Sequence, residues 1–159
     1  MKYLYTTIEG LDDLLIEVEE GKLSAIRFRG DESAQTIRDQ TDPVLQKTAQ
    51  WLDAYFAGKR PKNEVMDEIS ATPFQKKVWS AACTIPYGTT WTYEQLAAHL
   101  GMSKGARAVG NALGANPLCL LVPCHRVIRK DGSYAGYNGG IENKRALLEL
   151  EKKTEKKNP

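Results

Sequence analysis

Through the first thirty residues, apolar and polar positions alternate at the two-residue period of β-strands. Tyr and Thr dominate residues 2–7, and Leu14, Ile16 and Val18 recur at every second position beside acids. Glu20-Gly21-Lys22 reads as a hairpin turn, after which residues 23–28 return as a strand. The period then lengthens. Val44/Leu45, Thr48, Trp51/Leu52 and Tyr55/Phe56 recur at helical spacing, between a capping Asp42-Pro43 and a terminating Gly58. Residues 59–70, polar and containing Pro61, read as a linker.

The second half opens on Thr72-Pro73-Phe74-Gln75, a capping box with proline in the first helical position. Phe74, Val78, Ala81 and Ala82 give this helix its core face, and Ile85-Pro86-Tyr87-Gly88 stops it. A second box, Thr92 with Gln95, starts a helix whose apolar face is Leu96, Ala97 and Leu100. Gly101-Met102-Ser103-Lys104-Gly105 makes a turn into a third helix, 106–115. Two short helices around a glycine-containing turn describe a helix-turn-helix. The turn at 129–133 between extended segments fits a wing, and a last helix runs from 141 to about 151.

On a wheel of about 100° per residue, Val109, Leu113, Ala112 and Ala106 gather on one face of helix 106–115. The other face carries Arg107, Asn111, Gly114, Ala115 and Ala108. A helix reading the major groove displays several long polar side chains. Here only Arg107 is long. Small residues suit close docking in the minor groove, with little sequence preference and Arg107 as the probe entering the base stack.

Charge sharpens that picture. Residues 1–70 hold 9 Lys and Arg against 14 Asp and Glu, a net of −5, whereas residues 71–159 hold 13 against 6, a net of +7. The lysine-rich end 152–157 reads as a solvated, frayed tail, but residues 71–151 still carry 9 against 5. A polyanion is therefore expected to meet the second half alone. Length and linker divide the 159 residues into domains 1–70 and 71–159. No apolar run approaches the ~20 residues of a membrane span. Met1-Lys2-Tyr3-Leu4-Tyr5 has no signal-peptide core, and three cysteines make no disulfide framework, so a cytoplasmic protein is expected. Residues 1–70 contain neither Cys nor His, which excludes a structural zinc site of the usual kind there.

The candidate chemistry lies in Pro123-Cys124-His125-Arg126-Val127. A cysteine attacks only as its thiolate, and a neighbouring base or positive charge makes the thiolate available near neutral pH. In an extended chain Cys124 and His125 would point to opposite faces, so a bridging water is expected between them. His99 has no such neighbour and reads as structural.

With Asn116-Pro117 before it and Gly136-Tyr137-Asn138-Gly139-Gly140 after it, this segment resembles the O6-alkylguanine-DNA alkyltransferases, the methylated-DNA–protein-cysteine methyltransferases. Thr72-Pro73-Phe74-Gln75, Ile85-Pro86-Tyr87-Gly88, Thr92-Tyr93-Glu94-Gln95-Leu96-Ala97 and Arg107-Ala108-Val109-Gly110 match in register. The resemblance covers essentially all of residues 71–151, and residues 1–70 fit only loosely. It implies an α+β fold, with a small ribonuclease H-like strand-and-helix domain before a winged helix-turn-helix alkyltransferase domain. It also implies a single-turnover repair enzyme, without cofactor or metal, that acts as a monomer on duplex DNA containing O6-alkylguanine.

The resemblance assigns roles by position. Cys124 is the alkyl acceptor, His125 the base acting through a water, and Glu151 the group that orients and charges His125. Tyr93 protonates the leaving guanine and helps turn the nucleotide outward. Arg107 fills the gap in the stack, with Ala106, Gly110 and Asn111 on the same DNA-facing helix. Asn116 holds that helix against the active-site segment, while Tyr137 and Lys144 border the pocket. Asn138 stands where a smaller residue is common, which leaves open the size of alkyl group accepted. Activity on O4-alkylthymine is likewise open. Cys119 replaces a second proline, leaving 118–122 strand-like. An odd number of positions from Cys124, it is expected to face away into the core.

Three other classes fit less well. A lesion-binding relative without transfer activity lacks the acceptor cysteine that Cys124 supplies. A winged-helix regulator needs long base-reading side chains on 106–115. A Cys-His hydrolase needs a histidine remote in sequence and an oxyanion site.

Overall fold

A computed structural model describes residues 1–66, 69–134, 137 and 139–157. The chain divides into two compact units, Met1–Lys62 and Asn63–Pro159. The division falls ahead of the expected 70/71 boundary because Asn63 is bonded within the second unit. Its Nδ2 donates to the carbonyls of Leu120 at 2.9 Å and Leu121 at 3.1 Å.

Four strands of the first unit form one sheet in the order β3-β2-β1-β4: β1 (Lys2–Tyr5), β2 (Leu14–Glu19), β3 (Lys22–Phe28) and β4 (Gln35–Thr36). β2 is antiparallel to β1 and β3, and β4 is parallel to β1. Glu20 (φ 50°) and Gly21 (φ 76°) close the β2–β3 hairpin, both left-handed as a tight primed turn requires. β1 stops at Tyr5 because Thr7 turns its hydroxyl toward the carbonyls of Leu11 and Asp12, 3.0 and 2.9 Å away. Helix α1 (Pro43–Phe56) is capped as expected, with Asp42 accepting from the Val44 and Leu45 N–H groups. Leu45, Leu52 and Tyr55 form its buried face, and Phe56 stacks on Tyr5 of β1 at 6.0 Å.

In the second unit α2 (Pro73–Ala82) and α3 (Tyr93–His99) both begin with the capping boxes carried by the sequence. Each such cap contributes about 1 kcal/mol. α4 (Ala106–Gly114) follows a turn in which Gly101 sits at φ 75°. Trp79, rather than Phe74, anchors α2. It is 2% exposed and its Nε1–H donates to the Ala112 carbonyl of α4 at 2.8 Å, whereas Phe74 is only half-buried. Leu96, Val109 and Leu113 complete the contact region of the three helices.

Three features differ from expectation. β5 (Trp91–Thr92) pairs in parallel with β6 (Val127–Ile128), joining the start of α3 to the segment after Cys124. Residues 118–122 are a tight turn and not a strand: Leu120 adopts φ 73°, and the Val122 N–H returns to the Leu118 carbonyl at 3.0 Å. α5 (Ile141–Lys157) runs on through the lysine-rich tail that was expected to fray. Along that extension Glu155 packs close to Gly88, where an added Cβ would sit 3.2 Å from Glu155 Cβ. The 129–133 turn forms, with the Arg129 N–H donating to the Ser133 carbonyl at 3.1 Å. His99 is exposed, its ring 5.2 Å from that of Trp91, and so is no core residue. Among the described residues, no helix is long and apolar enough to cross a membrane.

Candidate active site

Asn116, just past the end of α4, ties that helix to the turn that follows. Its Oδ1 accepts from the Leu118 N–H at 3.0 Å, and its Nδ2 donates to the Val122 carbonyl at 3.2 Å and to Cys124 Sγ at 3.3 Å. Beyond Pro123 the residues Cys124–Arg126 coil into a single 3-10 turn. Coiling, rather than extension, sends both His125 and Arg126 inward while Cys124 stays partly exposed on a pocket wall. The pocket is about 20 Å³, bounded by Tyr93, Gly110, Leu113, Gly114, Asn116, Cys119, Cys124 and Tyr137. That is room for about one water.

Behind the cysteine lies a wholly buried ionic cluster. His125 Nε2 is 2.5 Å from Glu151 Oε2 on α5. Arg126 donates from Nε to Glu151 Oε1 at 2.8 Å and from Nη2 to Oε2 at 3.3 Å. The Gly88 N–H adds a further bond to Oε1 at 3.1 Å. Burial opposes ionisation of Glu151, but the charges and hydrogen bonds of His125 and Arg126 outweigh it and hold the carboxyl well below the usual range. Burial also pulls the His125 pKa down, so the ring is neutral near pH 7 and Arg126 is the standing countercharge. A carboxylate can only accept, so His125 Nε2 carries the proton and Nδ1 has the basic lone pair.

Lys144 is also buried, and its Nζ donates to the Val127 carbonyl at 2.5 Å. It does not line the pocket. It stands behind it, 5.5 Å from the centre of the Tyr137 ring. Burial draws its pKa down to about 8, which leaves it charged at neutral pH.

The Cys124 thiol is shifted toward the thiolate. The neighbouring Cys119 thiol is the largest cause, and the Asn116 bond and the Lys144 charge add to it against the effect of burial. Tyr93 moves the other way: burial first, then the charge of Cys124, keeps its phenol protonated. Its ring lies over Gly110, where a Cβ would meet ring atoms at 3.6 Å.

Cys119 is a core residue as expected, but it does not face away from Cys124. It is 7% exposed and lines the same pocket as Cys124. The turn at Leu120 breaks the alternation from which the opposite facing was inferred.

Outward from the pocket, α4 exposes Arg107, Ala108, Asn111, Gly114 and Ala115 and buries Val109, Ala112 and Leu113. Ala106 and Gly110 are half-buried at its edge. Asn138 lies outside the described residues. Two polar residues escaped the sequence reading of the site: Arg126 and Asn63, whose Oδ1 accepts from Arg126 Nη1 at 3.1 Å. An arginine among Val122, Pro123 and Val127 was the available signal. Among the described residues, no three His, Cys, Asp or Glu side chains converge as a metal site requires.

Residues 73–153 match the family model described as the DNA-binding domain of 6-O-methylguanine DNA methyltransferase. The chain is 52% identical over 101 residues to a methylated-DNA–protein-cysteine methyltransferase of Mycobacterium bovis, a match spanning 64% of this chain and 61% of that protein. A Methanosarcina acetivorans protein of the same name is 37% identical over 141 residues, covering 87% and 90% of the two chains. The crystal structure of Mycobacterium tuberculosis OGT in complex with DNA superposes with a TM-score of 0.78 at 37% identity, over 96% of this chain and 93% of that one. With the match running from the first capping box through the Glu151 helix, the chain belongs to the methylated-DNA–protein-cysteine methyltransferase family.

Proposed function

We propose that the protein repairs DNA by transferring the alkyl group of O6-alkylguanine to Cys124, once per molecule. One observation carries this reading: a partly exposed, thiolate-leaning cysteine beside a buried, neutral His125 whose other nitrogen is fixed by Glu151. The Cys124 sulfur attacks the alkyl carbon, forming an S–C bond as the C–O6 bond breaks and its electron pair passes to guanine. Any proton remaining on the thiol leaves through a water to His125 Nδ1, where Glu151 stabilises the resulting cation. Tyr93 supplies the proton that lets guanine depart as a neutral base. The thioether is stable, so turnover ends there.

The target atom is buried in a duplex and must be flipped out, at a few kcal/mol of unstacking. α3 and α4 act as a helix-turn-helix, with the 129–133 turn as wing and the first unit as a ribonuclease H-like scaffold. α4 lies in the minor groove with its small face, and Arg107 takes the place of the departed base. The DNA complex of the Mycobacterium tuberculosis relative supports DNA binding. We take the protein to act as a cytoplasmic monomer without cofactor.

The test is intact mass after incubation with duplex DNA containing O6-methylguanine. One methyl added, mapped to Cys124, is expected. The Cys124→Ser variant should bind the duplex and gain nothing, since an unactivated hydroxyl is a far poorer nucleophile than a thiolate. Methyl uptake by that variant at the parental rate would refute the assignment.

A further inference from the structure

We propose that Asn63 is a positioning residue for the transfer: its amide staples the Leu120–Leu121 turn to the Arg126 guanidinium and so fixes the segment that carries Cys124 and His125. The proposal rests on the alkyl-transfer reading and adds to it a residue from outside the pocket.

The staple is built from hydrogen bonds on both sides of one amide. Leu120 and Leu121 are buried in a turn that belongs to no helix or strand, and Asn63 Nδ2 donates to their carbonyls at 2.9 and 3.1 Å. Its Oδ1 accepts from Arg126 Nη1 at 3.1 Å. Carbonyls only accept and a guanidinium only donates, so the amide has a single orientation. The two ends of the staple bracket the reacting pair, with Leu121 ahead of Cys124 and Arg126 just after His125. Between them, the Val122 carbonyl accepts from the Cys124 N–H at 2.8 Å and from Asn116 Nδ2 at 3.2 Å. A shift of the turn would therefore carry the sulfur with it.

The chemistry of the residue matters as much as its place. Arg126 directs Nε and Nη2 at Glu151, Nη1 at Asn63 and at the Ile85 carbonyl 3.0 Å away, and its Cζ lies 5.4 Å from the centre of the Tyr87 ring. A neutral amide satisfies the far side of this guanidinium without drawing its charge away from Glu151. A carboxylate there would compete with Glu151. His125 would register the difference, because it feels Glu151 and Lys144 from α5 and Arg126 from its own segment, and the Arg126 charge opposes protonation of the ring.

Three quantities are compared in the full chain: the single-turnover rate of methyl transfer at saturating O6-methylguanine duplex, the Kd for undamaged duplex, and the pH at which the His125 ring titrates by NMR. Rates are taken over the molecules that finally carry a methyl group, which removes any loss due to unfolded protein. The chain has two histidines, and burial distinguishes His125 from the exposed His99. Asn63→Ala should transfer about tenfold more slowly, a loss that a misplacement of about 1 Å is enough to cause, while its Kd stays within about twofold of the parent. Asn63→Asp keeps the shape but loses both donations to the turn, and it should also be slower. It should raise the His125 midpoint by about half a pH unit, through the share of Arg126 charge it withdraws. A parental rate in either variant would overturn the proposal, whatever happens to the melt. So would a loss confined to Kd, or an unmoved His125 midpoint in Asn63→Asp. If Asn63→Ala does not fold, the isosteric Asn63→Asp carries the rate test. The titration needs no DNA. If the parent takes up no methyl while the Asn63→Asp midpoint still moves, the repair reading falls and the link from Asn63 through Arg126 to His125 stands.

Discussion

Each unit of this protein contains an arginine forked onto a carboxylate with a third polar group beside it, and the two clusters behave differently. In the first unit Arg38 donates to both Asp53 oxygens at 2.7 and 2.8 Å, and the Tyr5 hydroxyl donates to the same carboxylate at 2.7 Å. In the second, Arg126 grips Glu151 with His125 as the third member. The bonding pattern is alike. The surroundings are not: the Arg38 and Asp53 side chains are 56% and 44% exposed, those of Arg126 and Glu151 2% and 0%. Water screens the first pair and makes it nearly dispensable. The second is shielded, so each member depends on the others, and the polarisation it creates reaches the ring beside Cys124.

The largest expected effect is therefore at Glu151. Glu151→Gln keeps the shape but leaves the buried charge of Arg126 without a countercharge, which should cost about 3–5 kcal/mol. A thermal melt of the full chain should show the second unit unfolding roughly 10–20 °C lower. Coincident melts for variant and parent would show that the cluster is not shielded.

The next effect is that of acid. Because burial holds the His125 pKa down, the unfolded chain takes up that proton before the folded one does. The contribution of His125 is complete above its unfolded pKa of about 6.5 and declines as pH falls below it. Glu151, also depressed, adds a second loss that begins only below about 4.3. The first unit contains no histidine. Between pH 7 and 5, the protection factors for native-state hydrogen exchange, corrected for the intrinsic pH dependence, should fall at Leu147 and Leu148 but not at Leu14 and Ile16. Equal change in both units would remove His125 as the cause.

Much of this architecture is legible in sequence, for a physical reason. Helix starts at Asp42, Thr72 and Thr92 are set by bonds to residues two or three positions away, and the hairpin at Glu20-Gly21 is equally local. Burial of Lys144 and Glu151 is legible too, since with Leu147 and Leu148 they fall at i, i+3, i+4 and i+7 on one helix face. The two-residue strands β4, β5 and β6 are too short to show a period, and their partners are distant in the chain. The reversal at Leu120 carries no Gly or Asn to announce its positive φ, so strand alternation points Cys119 away from the pocket it lines. Nothing in residues 59–70 distinguishes Asn63 from linker, because its role depends on Arg126.

Arg107 tests whether exposure always means dispensability. It stands on the open face of α4, where substitution should leave the melt unchanged. If it occupies the gap left by a flipped nucleotide, Arg107→Ala should slow duplex repair by about tenfold or more, the equivalent of about 1.4 kcal/mol. Attack on free O6-benzylguanine, which needs no unstacking, should stay near the parental rate, provided the pocket accepts benzyl. Equal losses on both substrates would move Arg107 from the stack to the pocket or to folding.

The smallest effect belongs to Asp53. Asp53→Asn removes the charge that Arg38 holds but keeps an oxygen to accept from the Tyr5 hydroxyl. Both charged partners remain hydrated, so no buried charge is stranded and the loss should stay below about 1 kcal/mol. Salt provides the sharper discrimination. At molar ionic strength the screening length is about 3 Å, and the difference between Asp53→Asn and the parent should shrink toward zero. The deficit of Glu151→Gln should persist in the same buffer, because ions do not reach that cluster. A salt-resistant deficit at Asp53, read from melts of both variants in low and high salt, would mean that the exposed cluster is shielded after all.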